Sequence, residues 1–140
     1  MQLKLSKLYV SLFIGQLVVM KRKNEMVLYM RIRILQVQQL KVILETGALN
    51  EEQIRKRAHA VVAGGADWVK TSTGFLTGFD DKGADPKIVQ ILIDEVGDQI
   101  KVKGSGHIRT REHFLHLIDM VIQRMGVGYK SVPVVLGLEK

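Results

Sequence analysis

The sequence predicts an α/β fold, a partial or truncated βα (TIM-type) barrel with parallel strands. Three observations lead there. Short apolar runs rich in β-branched residues alternate with amphipathic stretches at helical spacing. Polar and Gly-rich segments follow the strands, which gathers them at the carboxyl ends, where parallel α/β proteins bind ligands. The chain has 140 residues, whereas a complete eight-unit barrel takes about 250 and seldom fewer than about 200.

The elements follow in order. Residues 1–39 form a divergent N-terminal segment, in which 8–14 read as a buried strand and, with 26–36, as one poor βα unit. Lys4 and Lys7 ahead of Leu8–Ile14 resemble the start of a signal peptide. Gln16 interrupts that run, however, no small-residue cleavage site follows, and Lys21-Arg22-Lys23 arrives before the ~18 apolar residues a membrane span requires. No membrane association is expected.

From residue 40 the pattern is regular. Leu40–Leu44 is a strand, and Asn50 with Gln53 three residues later starts a helix through a capping box. Ile54, Ala58, Val61 and Val62 mark its apolar face, and Gly64-Gly65 stops it. Ala66–Lys70 is the next strand. A Gly-containing loop then runs to Ala84, and Asp85-Pro86 opens a helix whose face is Ile88, Val89, Leu92, Ile93 and Val96. Ile100–Lys103 is a third strand, and Thr110 caps a helix carrying Phe114, Leu117 and Ile118. Met120-Val121-Ile122 begins a fourth strand towards Met125, ending in the turn Gly126-Val127-Gly128. Alternation at this pace implies parallel βαβ units.

Charge and composition narrow the function classes. The net charge is +7, but residues 1–40 hold seven basic side chains against Glu25 alone, while the other hundred carry 14 basic and 13 acidic. A nucleic-acid-binding domain is expected to carry its basic stripe on the folded body, so no nucleic-acid partner is predicted. The absence of cysteine excludes disulfides, thiolate zinc sites and cysteine nucleophiles, and suits a cytoplasmic location. His59, His113 and His116 fall in helical stretches, and His113 and His116, spaced to share one face, lack a nearby carboxylate or third ligand, so no metal is predicted.

What remains is lysine chemistry. Lys70 and Lys103 each end an apolar run and open into a loop rich in Gly and hydroxyls. A lysine at a strand's carboxyl end points into the mouth of a parallel sheet. There, burial and a second ammonium lower its pKa until the neutral amine attacks a carbonyl. Two such lysines suggest an imine-forming enzyme. Glu45, at the end of the first regular strand, is placed to salt-bridge Lys70 or Lys103.

Three segments carry a family resemblance: Lys41–Gly47 (KVILETG), Gly65–Phe75 (GADWVKTSTGF) and Val102–Thr110 (VKGSGHIRT). In order and spacing they closely resemble the signature segments of deoxyribose-phosphate aldolase, over residues 40–130. The resemblance implies that 40–140 form the C-terminal portion of an aldolase barrel. It also implies a cofactor-free class I lyase that reversibly cleaves 2-deoxyribose 5-phosphate to glyceraldehyde 3-phosphate and acetaldehyde. Lys70 then corresponds to the Schiff-base lysine and Lys103 to the neighbour that depresses its pKa. Thr71 and Thr73 correspond to hydroxyls near the substrate, and Gly74, Gly106, His107, Ile108, Gly126 and Gly128 to the phosphate-binding turns, whose backbone N–H groups favour an anion.

Partners are thus sugar phosphates and aldehydes, and open sheet edges predict a homo-oligomer. The alternative is a catalytically inert relative serving as a phosphate-binding or self-associating module. This chain departs from the family pattern at Gly106-His107, where Gly-Gly is usual, and at Val127-Gly128, where Thr-Ser or Ser-Ser is usual. No Asp or Glu precedes Glu25, and Tyr9 falls where the family carries its acid/base aspartate.

Overall fold

The computed structural model describes residues 8–12, 17–20, 39–80 and 82–138. Among them are β1 (Leu8–Leu12), β2 (Leu17–Met20), β3 (Leu40–Ile43), α1 (Glu51–Ala63), β4 (Trp68–Lys70), α2 (Pro86–Val96), β5 (Lys101–Ser105), α3 (Arg111–Asp119), β6 (Arg124–Gly126) and α4 (Val132–Leu136). The strands form one sheet in the order β2-β1-β3-β4-β5-β6. The four strands β3 to β6 are parallel, each neighbouring the next in sequence. The expected α/β architecture is present, with the helical segments following parallel strands.

Local chemistry sets the helix boundaries as the sequence predicts. Asn50 and Gln53 form a reciprocal capping box at α1, and Gly64 ends it. Asp85 accepts the Lys87 N–H at 2.8 Å with Pro86 in the first turn of α2, and Thr110 accepts the His113 N–H at 3.2 Å to start α3. The pleat then divides the side chains. Leu40, Val42, Val69 and Val102 face the helices and pack with Ile54, Ala58, Val61, Leu92 and Val96 into the main core. A second cluster joins Ala84, Val89, Ile108, Leu117 and Val135, with Phe114 and Met125 against it.

Two expectations are corrected. Residues 8–12 do form a strand, but β1 runs antiparallel to both β2 and β3 and so lies outside the parallel series; the expected helical residues 26–36 lie outside the described residues. The fourth parallel strand starts at Arg124 rather than Met120. Met120 caps α3 and Val121 takes a left-handed conformation (φ 60°), so the apolar triplet 120–122 is spent on the turn.

One close approach shapes the mouth of the sheet. Gly83 has φ 56°, and a Cβ built there would lie 2.4 Å from the carbonyl carbon and oxygen of Gly106, whose oxygen also accepts the Ala84 N–H at 3.0 Å. Gly83→Ala is therefore expected to cost at least about 1–2 kcal/mol from backbone conformation alone, before any clash. Urea unfolding checks this: the midpoint should fall, and an unchanged midpoint would mean the two loops are not docked.

Candidate active site

Lys70 closes β4, whereas Lys103 sits midway along β5, which runs on to Ser105 rather than ending at Lys103 as expected; the two are direct register partners. Continuing across the sheet, Lys103 pairs with Arg124. On the same face, Ile43 is the partner of Lys70, which sets Lys41 two residues back on that face. The inward face of β3 to β6 thus carries a row of cations beside Trp68, whose ring receives the Arg124 guanidinium at 4.5 Å and the Lys101 ammonium at 5.2 Å. The Trp68 indole N–H donates to Gln39 Oε1 at 3.0 Å. Trp68 is buried on this face rather than among the helices.

This setting depresses the lysines. Burial first, then the positive charges of Lys103 and Lys41, lower the Lys70 pKa from 10.5 to about 8, against an opposing pull from Glu45. Burial and Arg124 lower Lys103. Lys41 is lowered by burial and by Lys103 and Arg124. Burial thus outweighs the charge of Lys103 in lowering Lys70.

A cleft of about 410 Å³ opens beside Lys70, lined by Thr73, Gly74, Phe75, Ser105 to Arg109, Gly126 to Gly128 and Ser131. It gathers Lys70, Thr73, Gly74, Gly106, His107, Ile108, Gly126 and Gly128 from three separate loops. A second cleft of about 440 Å³, between Thr46–Glu51 and Asp80–Ile88, holds neither lysine.

The individual roles differ from expectation in places. Thr71 is fully buried and turned away from the cleft: its Oγ1 donates to the Ser105 carbonyl at 3.0 Å and accepts the Ser105 N–H at 3.1 Å, tying β4 to β5. Ile108 presents only backbone, because its side chain sits in the second core cluster. Gly126 is a spatial necessity, since a Cβ there would lie 2.9 Å from Ser105 Cβ and 3.6 Å from Lys103 Cε. At Gly128 an added Cβ meets nothing within 4 Å.

His107 has φ 59° beside Gly106 at φ 90°. Two successive positive-φ residues explain why glycine is usual at both positions, and histidine is among the few side chains that visit this region readily. Glu45 does not salt-bridge either lysine as anticipated; its hydrogen bonds go to Ser72 and Thr73.

The sequence reading does not single out Lys41, Arg124, Arg109 or Ser131. For Lys41 the signal is parity, as it stands two residues before Ile43, the register partner of Lys70.

No protein-family profile matches the chain. Curated relatives do. Deoxyribose-phosphate aldolase of Staphylococcus haemolyticus is 43% identical over 100 residues, covering 71% of this chain and 43% of the relative. That of Desulfitobacterium hafniense is 46% identical over 89 residues, or 64% of this chain and 39% of the relative. The chain therefore spans less than half the length of these relatives.

Among solved structures, an aldolase matches with a TM-score of 0.66 at 32% identity, over 83% of this chain and 49% of its own. The tetrameric deoxyribose phosphate aldolase from Aeropyrum pernix matches with a TM-score of 0.68 at 26% identity, over 83% and 48%.

Proposed function

Since the chain belongs to the deoxyribose-phosphate aldolase family, we propose that it forms a Schiff base between Lys70 and the aldehyde carbon of 2-deoxyribose 5-phosphate, reversibly releasing glyceraldehyde 3-phosphate and acetaldehyde. The observation that carries this reading is the register pairing of Lys70, at the end of β4, with Lys103 on β5, next to a cleft lined by backbone turns.

The chemistry follows from the neutral Lys70 amine. It adds to the C1 aldehyde, and loss of water gives a protonated imine. The imine is an electron sink: as a base takes the C3 hydroxyl proton, the C2–C3 bond breaks, glyceraldehyde 3-phosphate leaves, and the bonding pair is held as an enamine. Protonation at C2 and hydrolysis then return acetaldehyde and the free amine. Lys103 serves as the charged neighbour. Gly74, Gly106, His107, Ile108, Gly126 and Gly128 supply the phosphate cradle, with N–H groups at the approach to α3 favouring the anion and Arg109 adding a cation.

Thr73 supplies a hydroxyl at the wall. The reaction needs no cofactor or metal. The reading includes a homo-oligomer formed through the open β6 edge, and a cytoplasmic role in deoxyribonucleotide breakdown. Among the described residues, no helix is long and apolar enough to cross a membrane.

The test is a pH profile. Borohydride trapping of acetaldehyde at Lys70 should rise through pH about 8 in the unmodified chain. Lys103→Leu removes a positive charge that lowers the Lys70 pKa, so its midpoint should move up and trapping at pH 7 should slow. Superimposable profiles would mean that the two amines are uncoupled.

A further inference from the structure

Glu45 is 3% exposed, sits in a left-handed conformation (φ 55°) just after β3, and is not among the residues lining the cleft. Its backbone bends the chain into a 3₁₀ turn over Thr46–Ala48. In this turn the Thr46 N–H donates to the Thr71 carbonyl at 3.0 Å, and the preceding Leu44 N–H donates to the Lys70 carbonyl at 3.0 Å. That geometry brings the carboxylate under the segment that follows Lys70. Oε1 accepts the Ser72 hydroxyl at 2.9 Å and the Thr73 N–H at 3.2 Å, and Oε2 accepts the Thr73 hydroxyl.

Each of those two hydroxyls is used twice. Ser72 Oγ accepts the Gly74 N–H at 3.0 Å, and Thr73 Oγ1 accepts the Phe75 N–H at 3.1 Å. With their protons committed to Glu45, both oxygens present lone pairs to the backbone two residues on. One buried carboxylate therefore dictates the direction of a relay that ends at Thr73, Gly74 and Phe75, three residues of the cleft wall. From the other side, Ser105 Oγ donates to the Ser72 carbonyl at 2.7 Å.

We infer that Glu45 is a positioning residue for the cleft: without touching its lumen, its buried carboxylate fixes the Thr73–Phe75 wall beside Lys70. The inference deepens the imine reading above and rests on it for its functional consequence. Its structural half stands on the hydrogen bonds alone. Glu45 also opposes the lowering of Lys70 by the neighbouring cations, which gives the charge a signature that shape alone lacks.

Glu45→Gln keeps the size but leaves one acceptor oxygen for three donors and removes the charge. Hydrogen–deuterium exchange on the full chain should show the Thr73 and Phe75 amides exchanging about tenfold faster or more, with α1 and α2 unchanged. The midpoint of acetaldehyde trapping should move down in pH. Ser72→Ala keeps the charge and breaks one arm of the relay, so the Gly74 amide should lose protection while the trapping midpoint stays. This second variant decides the matter if Glu45→Gln does not fold.

Unchanged exchange at Thr73 and Phe75 in Glu45→Gln, or a rise in Ser72→Ala that spreads through α2, would overturn the inference, as would an unmoved midpoint in Glu45→Gln. No trapping in the unmodified chain would overturn the imine reading alone, and the exchange experiment would still judge Glu45.

Discussion

Lys70→Ala should abolish the reduced two-carbon adduct that borohydride leaves after incubation with acetaldehyde, and peptide mapping of the unmodified chain should find that adduct on Lys70. The expected selectivity is strong because the competing lysines are not equivalent. Lys70 titrates near pH 8, so at pH 7 about a tenth of it is neutral, whereas an ordinary lysine with a pKa of about 10.4 is neutral to less than one part in a thousand. Nucleophilicity tracks that fraction. The fall of reactivity below pH 8 should therefore approach about tenfold per pH unit. An adduct of undiminished yield in Lys70→Ala would reassign the imine, with Lys103 and Lys41 the next amines to examine, since both are also depressed on the same face.

The same depression has a consequence for stability. A lysine whose folded pKa lies below its unfolded value binds fewer protons in the folded state, so its contribution disfavours folding below pH about 8 and fades as the pH rises towards 10.5. The sheet tolerates this because the outward faces of the same strands, Val42, Val69 and Val102, are fully buried against α1 and α2. The core holds the strands in place; the cations pay for the chemistry.

What the sequence reveals of this arrangement depends on the range of the cause. Helix starts at Asn50, Asp85 and Thr110 are legible because a cap is a contact over two or three residues. The loops after β4 and β5 are legible because they follow apolar runs, and seven of the eight residues expected in the phosphate-binding and hydroxyl-bearing turns, all but Thr71, line the cleft. Strand direction is not local. An apolar run such as 8–12 announces a strand but not its antiparallel partner, which only the pairing of Tyr9 with Ile43 and Val19 specifies.

The role of Thr71 is likewise hidden. It lies next to Lys70, yet strict alternation turns it to the opposite face, where Ser105 takes both its hydrogen-bonding capacities. Glu45 is misread for the same reason. Charge favours a lysine partner, but the left-handed turn at Glu45 aims the carboxylate at Ser72 and Thr73.

Turnover of 2-deoxyribose 5-phosphate should fall far behind imine formation. Cleavage of the C2–C3 bond needs a group to take the C3 hydroxyl proton and another to protonate the enamine. Among the described residues, the cleft wall contains no Asp or Glu. Glu45 is committed to Ser72 and Thr73. Loss of a positioned acid/base group typically costs a factor of about 10²–10⁴.

The phosphate turns are less affected, because they act through backbone donors. Inorganic phosphate or glyceraldehyde 3-phosphate should therefore raise the melting temperature in a concentration-dependent way, while a coupled assay run beside the full-length Staphylococcus haemolyticus relative should give a rate lower by about two to four orders of magnitude. Binding and turnover would then be separable properties of this sheet, with anion recognition carried by the backbone turns after β4, β5 and β6. A rate equal to the relative's would refute that separation, and would require a group outside the described cleft wall, a water molecule or a second chain to carry the proton.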